Sequence, residues 1–144
     1  MGTRLGLAAK LYRDTTGGPV WSEITNVRDL TLNLETGEAD VTTRGNLGWR
    51  AIVATLKEGS IEFSMVWDTL DAHFAAIRDA FLLAGAVPLA VMDGDITVAG
   101  SQGLVALFAI TNFTRNEQLE EAITVDVTCK PTYSTTPPSW LIVP

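Results

Sequence analysis

Between Gly59 and Ala84 the hydrophobic pattern changes its period once, and that change organises the chain. Ile61, Phe63, Met65 and Trp67 alternate with Glu62, Ser64 and Val66. A period of two sets one apolar row on one face of a sheet. Leu70, Phe74, Ile77, Phe81 and Ala84 then fall at helical spacing and predict one helix over about 69–84. Asp68 is placed to cap it, Asp71 adds negative charge to its first turn, and Gly85 followed by Pro88 closes it.

The rest of the chain reads as strands and turns. Leu5, Leu7, Ala9 and Leu11 share one face of a first strand over Arg4–Tyr12, and Thr15–Pro19 is a turn. A poorly alternating strand over Val20–Val27 precedes a better one over Asp29–Leu34. Glu35–Glu58 predicts a long loop: its first half is rich in Gly, Thr, Asp and Asn, and its second half is a short apolar run. Past the helix, Pro88–Met92 and Ile96–Ala99 read as a hairpin about Asp93-Gly94, and Gly100–Gly103 as a further turn.

Leu104–Ile110 is apolar on both faces, as in a strand covered on both sides or lining a subunit interface. It forms a long hairpin with Ala122–Lys130, where Ile123, Val125, Val127 and Cys129 point inward; Arg115–Glu121 is the polar turn between them. The C-terminal prolines preclude regular structure through them, and the apolar end Trp140–Val143 needs a surface to sit on. The fold class is therefore mainly β: an antiparallel sandwich or barrel with one flanking helix (about 69–84) and a long loop (about 35–58). A single domain over 1–134 is followed by a proline-rich tail over 135–144.

Composition fits one folded domain, with 47% apolar and 19% charged residues in 144. The net charge of -7 argues against a surface that grips nucleic acid, which needs clustered Lys and Arg. A single cysteine, Cys129, excludes an intrachain disulfide. The N-terminal stretch lacks a signal-peptide core, no apolar run is long enough for a membrane span, and Gly6 spoils the myristoylation pattern begun by Met1-Gly2.

Catalytic constellations are missing. One His and one Cys far apart cannot make a zinc site. His73 near Asp68 and Asp71 reads as a capped helix face, Ser101 lies on no nucleophile elbow, and Asp93, Asp95, Glu120 and Glu121 suit turns. No glycine-rich phosphate loop opens the helix. The reading is a non-enzyme without cofactor or metal. Surplus apolar surface stands out instead, at Leu82 and Leu83 off the helix stripe, along Leu104–Ile110, and at Trp140 in the tail; it points to an oligomer.

Ala39-Asp40-Val41-Thr42-Thr43-Arg44, followed by Gly48-Trp49-Arg50, resembles a stretch of the major tail tube proteins of long-tailed bacteriophages. Leu119–Ala122 with Val125–Thr128 is similar to the closing strands of that family. The resemblance spans nearly the whole chain in element order. It implies hexameric rings that stack into a tube, a virion location after assembly in the host cytoplasm, and a long loop reaching the adjacent ring. On this chain the loop residues are Asp40, Thr42, Arg44, Trp49, Arg50 and Lys57, with Leu82, Leu83 and Trp140 as further subunit contacts.

The partners it implies are further copies, a tape-measure protein, a tail terminator and baseplate or initiator proteins, with double-stranded DNA sliding through the lumen unbound. Acidic walls would repel phosphate and ease that passage. Two other readings fit the residues: a secretion-type ring similar to the type VI secretion tube protein, and a carbohydrate-binding β-sandwich presenting Trp21, Trp49 or Trp140 to sugars.

Overall fold

A computed structural model describes residue 3, residues 5–15 and residues 20–144. Met1-Gly2, Arg4 and residues 16–19 of the expected first turn lie outside the described residues. Eight strands and one helix follow in order: β1 (Lys10–Asp14), β2 (Trp21–Glu23), β3 (Val27–Asp40), β4 (Ile52–Val66), α1 (Ala72–Leu82), β5 (Ala86–Met92), β6 (Gln102–Asn116), β7 (Thr124–Pro131) and β8 (Ser139–Ile142). They form one antiparallel sheet in the order β2-β1-β5-β6-β7-β4-β3. β8 adds itself to the early part of β6, opposite β5, and β7 takes the later part. The sheet is open and sandwich-like, so the mainly antiparallel β fold with one helix stands.

The core follows the alternations. Ile61, Phe63 and Met65 of β4 meet Val125, Val127 and Cys129 of β7 in register, and all six are buried. Leu104, Ala106, Phe108 and Ile110 continue this face on β6, and Val87, Leu89 and Val91 on β5. Phe74 and Ile77 of α1 close it with no exposed surface, and Trp67 meets Phe74 edge to face with centroids 4.7 Å apart. A second, smaller cluster forms around Tyr12, Ala90 and Met92, with Val105 of β6 packed against it. The doubly apolar β6 is thus a central strand with apolar neighbours on both faces. Gly103 is required there, because a Cβ would run into the carbonyl oxygen of Val91 on the neighbouring strand.

Several boundaries differ from the sequence expectation. The alternation at Leu5 and Leu7 is not used: residues 6–8 make a 3-10 turn, both leucines are exposed, and β1 starts at Lys10. The second strand shrinks to Trp21–Glu23. Ile96–Ala99 is not a strand. Asp95 instead accepts from the backbone and hydroxyl of Thr97 in a side-chain turn, while Asp93 and Gln102 close a longer loop between β5 and β6.

The helix cap is Asp71, whose Oδ1 accepts from the His73 N–H at 3.1 Å; Asp68 forms a separate turn onto the Leu70 N–H. Leu70 therefore precedes the helix and is exposed rather than part of the stripe. At the other end Ala84, not Gly85, takes the left-handed conformation, with φ 54°. Gly85 and Ala84 donate back to the carbonyls of Ala80 and Phe81, which completes a Schellman closure.

The largest correction concerns the long loop. Residues 35–40 and 52–58 are strand, paired from Glu35↔Glu58 to Asp40↔Ile52. Only 41–51 lies outside a strand. The turn-forming composition hid a ladder because this hairpin has no buried face to impose alternation: nearly every residue from Leu34 to Glu58 is exposed. The C-terminal segment adds a strand that the sequence reading did not name. Pro137 and Pro138 are irregular, but regular pairing begins one residue later at Ser139.

Candidate assembly surface

The outer part of the β3–β4 hairpin is an arm that leaves the body of the domain. An isolated two-stranded hairpin is marginal in water. This one also exposes Leu34, Val41, Ile52, Val53 and Leu56. A bulge, with Thr55 and Leu56 of β4 opposite Gly37, adds twist halfway along. Such a surface needs cover that the described part of the chain does not supply.

The tip is built by hydrogen bonds. Asp40 Oδ1 accepts from the Thr42 N–H at 2.9 Å, and the Thr42 hydroxyl and N–H together hold the Asp40 carboxyl below its ordinary range. Thr42 Oγ1 accepts from the Ala51 N–H at 2.9 Å, and the Val41 N–H donates to Ala51 O. A 3-10 turn at Arg44–Asn46 then swings the chain over, with Leu47 at φ 51° and Gly48 at φ 88°. Leu47 and Trp49 stand at the apex, 88% and 79% exposed. Arg44 and Arg50 flank them, and residues 41–51 contain no acid.

Of the residues singled out from sequence, the structure gathers Asp40, Thr42, Arg44, Trp49 and Arg50 at this tip. Lys57 is not among them. It lies at the foot of the arm, opposite Thr36, in a groove it shares with Trp140. Trp140 is half exposed, its Nε1–H held by Gln102 Oε1 at 3.0 Å. Leu141 and Val143 beside it pack onto the Tyr12 cluster, so the apolar tail sits on its own domain. Leu82 and Leu83 are exposed at the end of α1, on neither tip nor groove. Trp21 is half-buried against the Tyr12 cluster, which leaves Trp49 and Trp140 as the exposed indoles of the three proposed for sugar stacking.

Sequence reasoning missed Leu34, Leu47, Ile52 and Leu56. Leu34 was read only as the last residue of its strand, and the one signal of the other three was an apolar residue inside a segment otherwise made for turns. It also missed the setting of His73. Nδ1 of His73 accepts from Arg13 Nε at 2.9 Å, and Nε2 lies 3.1 Å from Ser22 Oγ, so the ring ties α1 to β1 and β2. Burial, then the Arg13 charge, lowers its pKa. Among the described residues no cluster of three or more His, Cys, Asp or Glu could hold a metal, and no helix is long and apolar enough to cross a membrane.

No protein-family model and no curated protein sequence matches the chain. Solved structures do. The fold is similar to a chain of the tail of an empty gene transfer agent particle, refined with C6 symmetry, at TM-score 0.75 and 17% identity over 96% of this chain and 99% of that one. It is similar to a chain of the native gene transfer agent virion at TM-score 0.72 and 14% identity, with 96% and 99% covered. The SPP1 tail tube matches at TM-score 0.66 and 14% identity over 89% of this chain and 75% of that one. The class defined is that of a fold, an open antiparallel sheet with one helix, shared with chains of a gene transfer agent tail and virion and of the SPP1 tail tube.

Proposed function

We propose that the chain is a structural subunit of a tail tube, forming hexameric rings that stack through the β3–β4 arm into a conduit for DNA. The observation that carries this reading is the arm itself: a two-stranded projection with apolar residues bare on it and an ordered apolar tip. A subunit that worked alone would gain nothing from exposing Leu47 and Trp49 together. Exposed patches of this kind mark contact sites. The shared fold supports the same reading, since two of the similar structures are gene transfer agent tail or virion chains and a third is a tail tube.

In this reading Asp40 and Thr42 shape the tip, and Trp49, Arg44 and Arg50 make the ring-to-ring contact. Leu82, Leu83 and Trp140 offer further contact surface. The ring also covers open sheet edges at β2 and β3, which otherwise invite uncontrolled pairing. The charge of -7 suits a lumen that repels phosphate. The tube would sit in the virion tail, meeting a tape-measure protein, a terminator and a baseplate at its ends.

Light-scattering mass after gel filtration, with negative-stain imaging of the same fractions, tests this. Rings or stacked tubes are expected. A strict monomer at high concentration, with or without a tail initiation complex added, would remove the proposal.

A further inference from the structure

The arm needs a receptor, and the structure offers one at the arm's own foot. Leu34, Gly59, Leu104, Pro131, Pro138 and Trp140 line a groove of about 620 Å³ between β3–β4, the end of β7 and β8. That volume lies within the range of sites that take a bulky apolar group. Gly59 keeps the floor low: a Cβ there would come to 3.2 Å from Leu34 Cδ2. Trp140 forms one wall, fixed by its bond to Gln102.

The groove also has a defined charge. Glu35 and Glu58 line it and are direct cross-strand partners. Like charges placed opposite one another destabilise a hairpin. Neither belongs to an ion pair among the described residues, and Lys57 is the one cation lining the same groove. This is a site short of positive charge and lined by apolar side chains. The tip has the complementary make-up, with Leu47 and Trp49 between Arg44 and Arg50 and no acid.

An arm cannot reach its own groove. The ladder from Leu34↔Gly59 to Asp40↔Ile52 holds tip and foot roughly 20 Å apart at the usual rise per residue. The occupant must therefore be another copy.

Resting on the tail-tube reading, we propose that Leu47 and Trp49 of one subunit fill the Leu34–Leu104–Trp140 groove of a subunit in the next ring, with Arg44 and Arg50 meeting Glu35 and Glu58. Tip and groove are different surfaces, so the contact is head-to-tail. It does not close on itself but repeats along the arm direction, which builds a tube.

The test uses full-length chains in two sets. A Thr43→Cys chain is mixed with a Thr36→Cys chain under mild oxidation, with Leu83→Cys as a third partner; native Cys129 is buried in all of them. Thr43 sits at the tip outside the proposed contact residues, and residues 43 and 36 are both exposed, so far-UV circular dichroism should be unchanged. A 43–36 disulfide between chains is expected, since only Cα atoms within about 7 Å can be bridged. Glu35→Arg with Glu58→Arg in the Thr36→Cys chain should cut its yield at least tenfold, and Arg44→Glu with Arg50→Glu in the other chain should restore it.

Tubes whose position 43 joins position 83, or joins neither, would overturn the groove assignment and leave the tail-tube reading standing. A 43–36 product that ignores both charge reversals would overturn the ionic half of the proposal. An unmodified chain that never assembles, with no 43–36 product, would overturn both readings.

Discussion

Arg13 Nε donates a hydrogen bond of 2.9 Å to Nδ1 of His73, joining strand β1 to the first turn of the helix. Arg Nε is always a donor, so Nδ1 must be unprotonated and the ring proton sits on Nε2, facing Ser22 Oγ. Burial and the Arg13 charge lower the pKa of His73 below its ordinary 6.5. The sign follows from linkage. The unfolded chain takes up the proton first as pH falls, so the stability this group contributes is full above pH 6.5. It is lost as pH falls from there through the folded value. Urea midpoints should be flat from pH 8 to 7 and fall as pH drops below 6.5. His73→Asn, which keeps an acceptor but does not titrate, should flatten that decline; an unchanged decline in this variant would move its origin to another group.

Ala84 makes a second local prediction. It closes the helix at φ 54°, a conformation that costs a residue with a Cβ roughly 1–2 kcal/mol. Glycine removes that cost but loses more entropy on folding, by about 0.5–1 kcal/mol. Ala84→Gly should therefore stabilise by about 0.5–1 kcal/mol, read as a rise of roughly 2–4 °C in Tm for a chain of this size. The residue is exposed, so packing does not obscure the result. A fall in Tm would show that the closure is not strained.

Legibility in the sequence tracked burial. Ile61, Phe63 and Met65, with Val125, Val127 and Cys129, alternate because one face of their strands meets the core, and they were read correctly. Residues 35–40 and 52–58 carry no such constraint, so the same ladder of hydrogen bonds left no periodic trace. Arg44, Trp49 and Arg50 were singled out through the family resemblance, and the structure sets them together at the arm tip. The groove was invisible because Leu34, Leu104 and Trp140 come from distant parts of the chain: β6–β8 pairing sets Trp140 beside Leu104, and β3–β4 pairing sets Leu34 across from Gly59. Trp140 was noticed for its exposure, and Lys57 was grouped with the tip although the arm carries it to the opposite end.

Cys129 is fully buried opposite Ile61, and burial pushes its thiol up to about 12. Only the thiolate is nucleophilic. An unperturbed thiol has a pKa near 8.5, so at pH 8 the native thiolate fraction is lower by a factor on the order of a thousand. Iodoacetamide at pH 8 should leave the folded protein unmodified for hours and label it within minutes in concentrated urea. The labelling rate then reports global opening. Rapid native labelling would mean that the β4–β7 pairing opens locally.

Leu47 joins stability and assembly in one residue. It holds φ 51° at the arm tip, where a branched apolar side chain is strained by about 1–3 kcal/mol, and it is 88% exposed, so no contact within the chain offsets that strain. Asparagine adopts the left-handed region more readily. Leu47→Asn should leave the Tm unchanged or higher by a few degrees, while assembly falls. Trp49→Ala removes the neighbouring indole, which is also exposed, and should likewise keep the fold with an unchanged near-UV spectrum from the buried aromatics. The two variants should lower tube formation, measured by pelleting and electron microscopy, at least tenfold each. Both lie in the one proposed contact, so the double variant should be no worse than the sum of the singles. If Leu47→Asn assembled normally, the strain would have a purely local origin and Trp49 would carry the contact alone. If Trp49→Ala instead lost its folded near-UV signal, that indole would belong to the core and the tip would need another anchor.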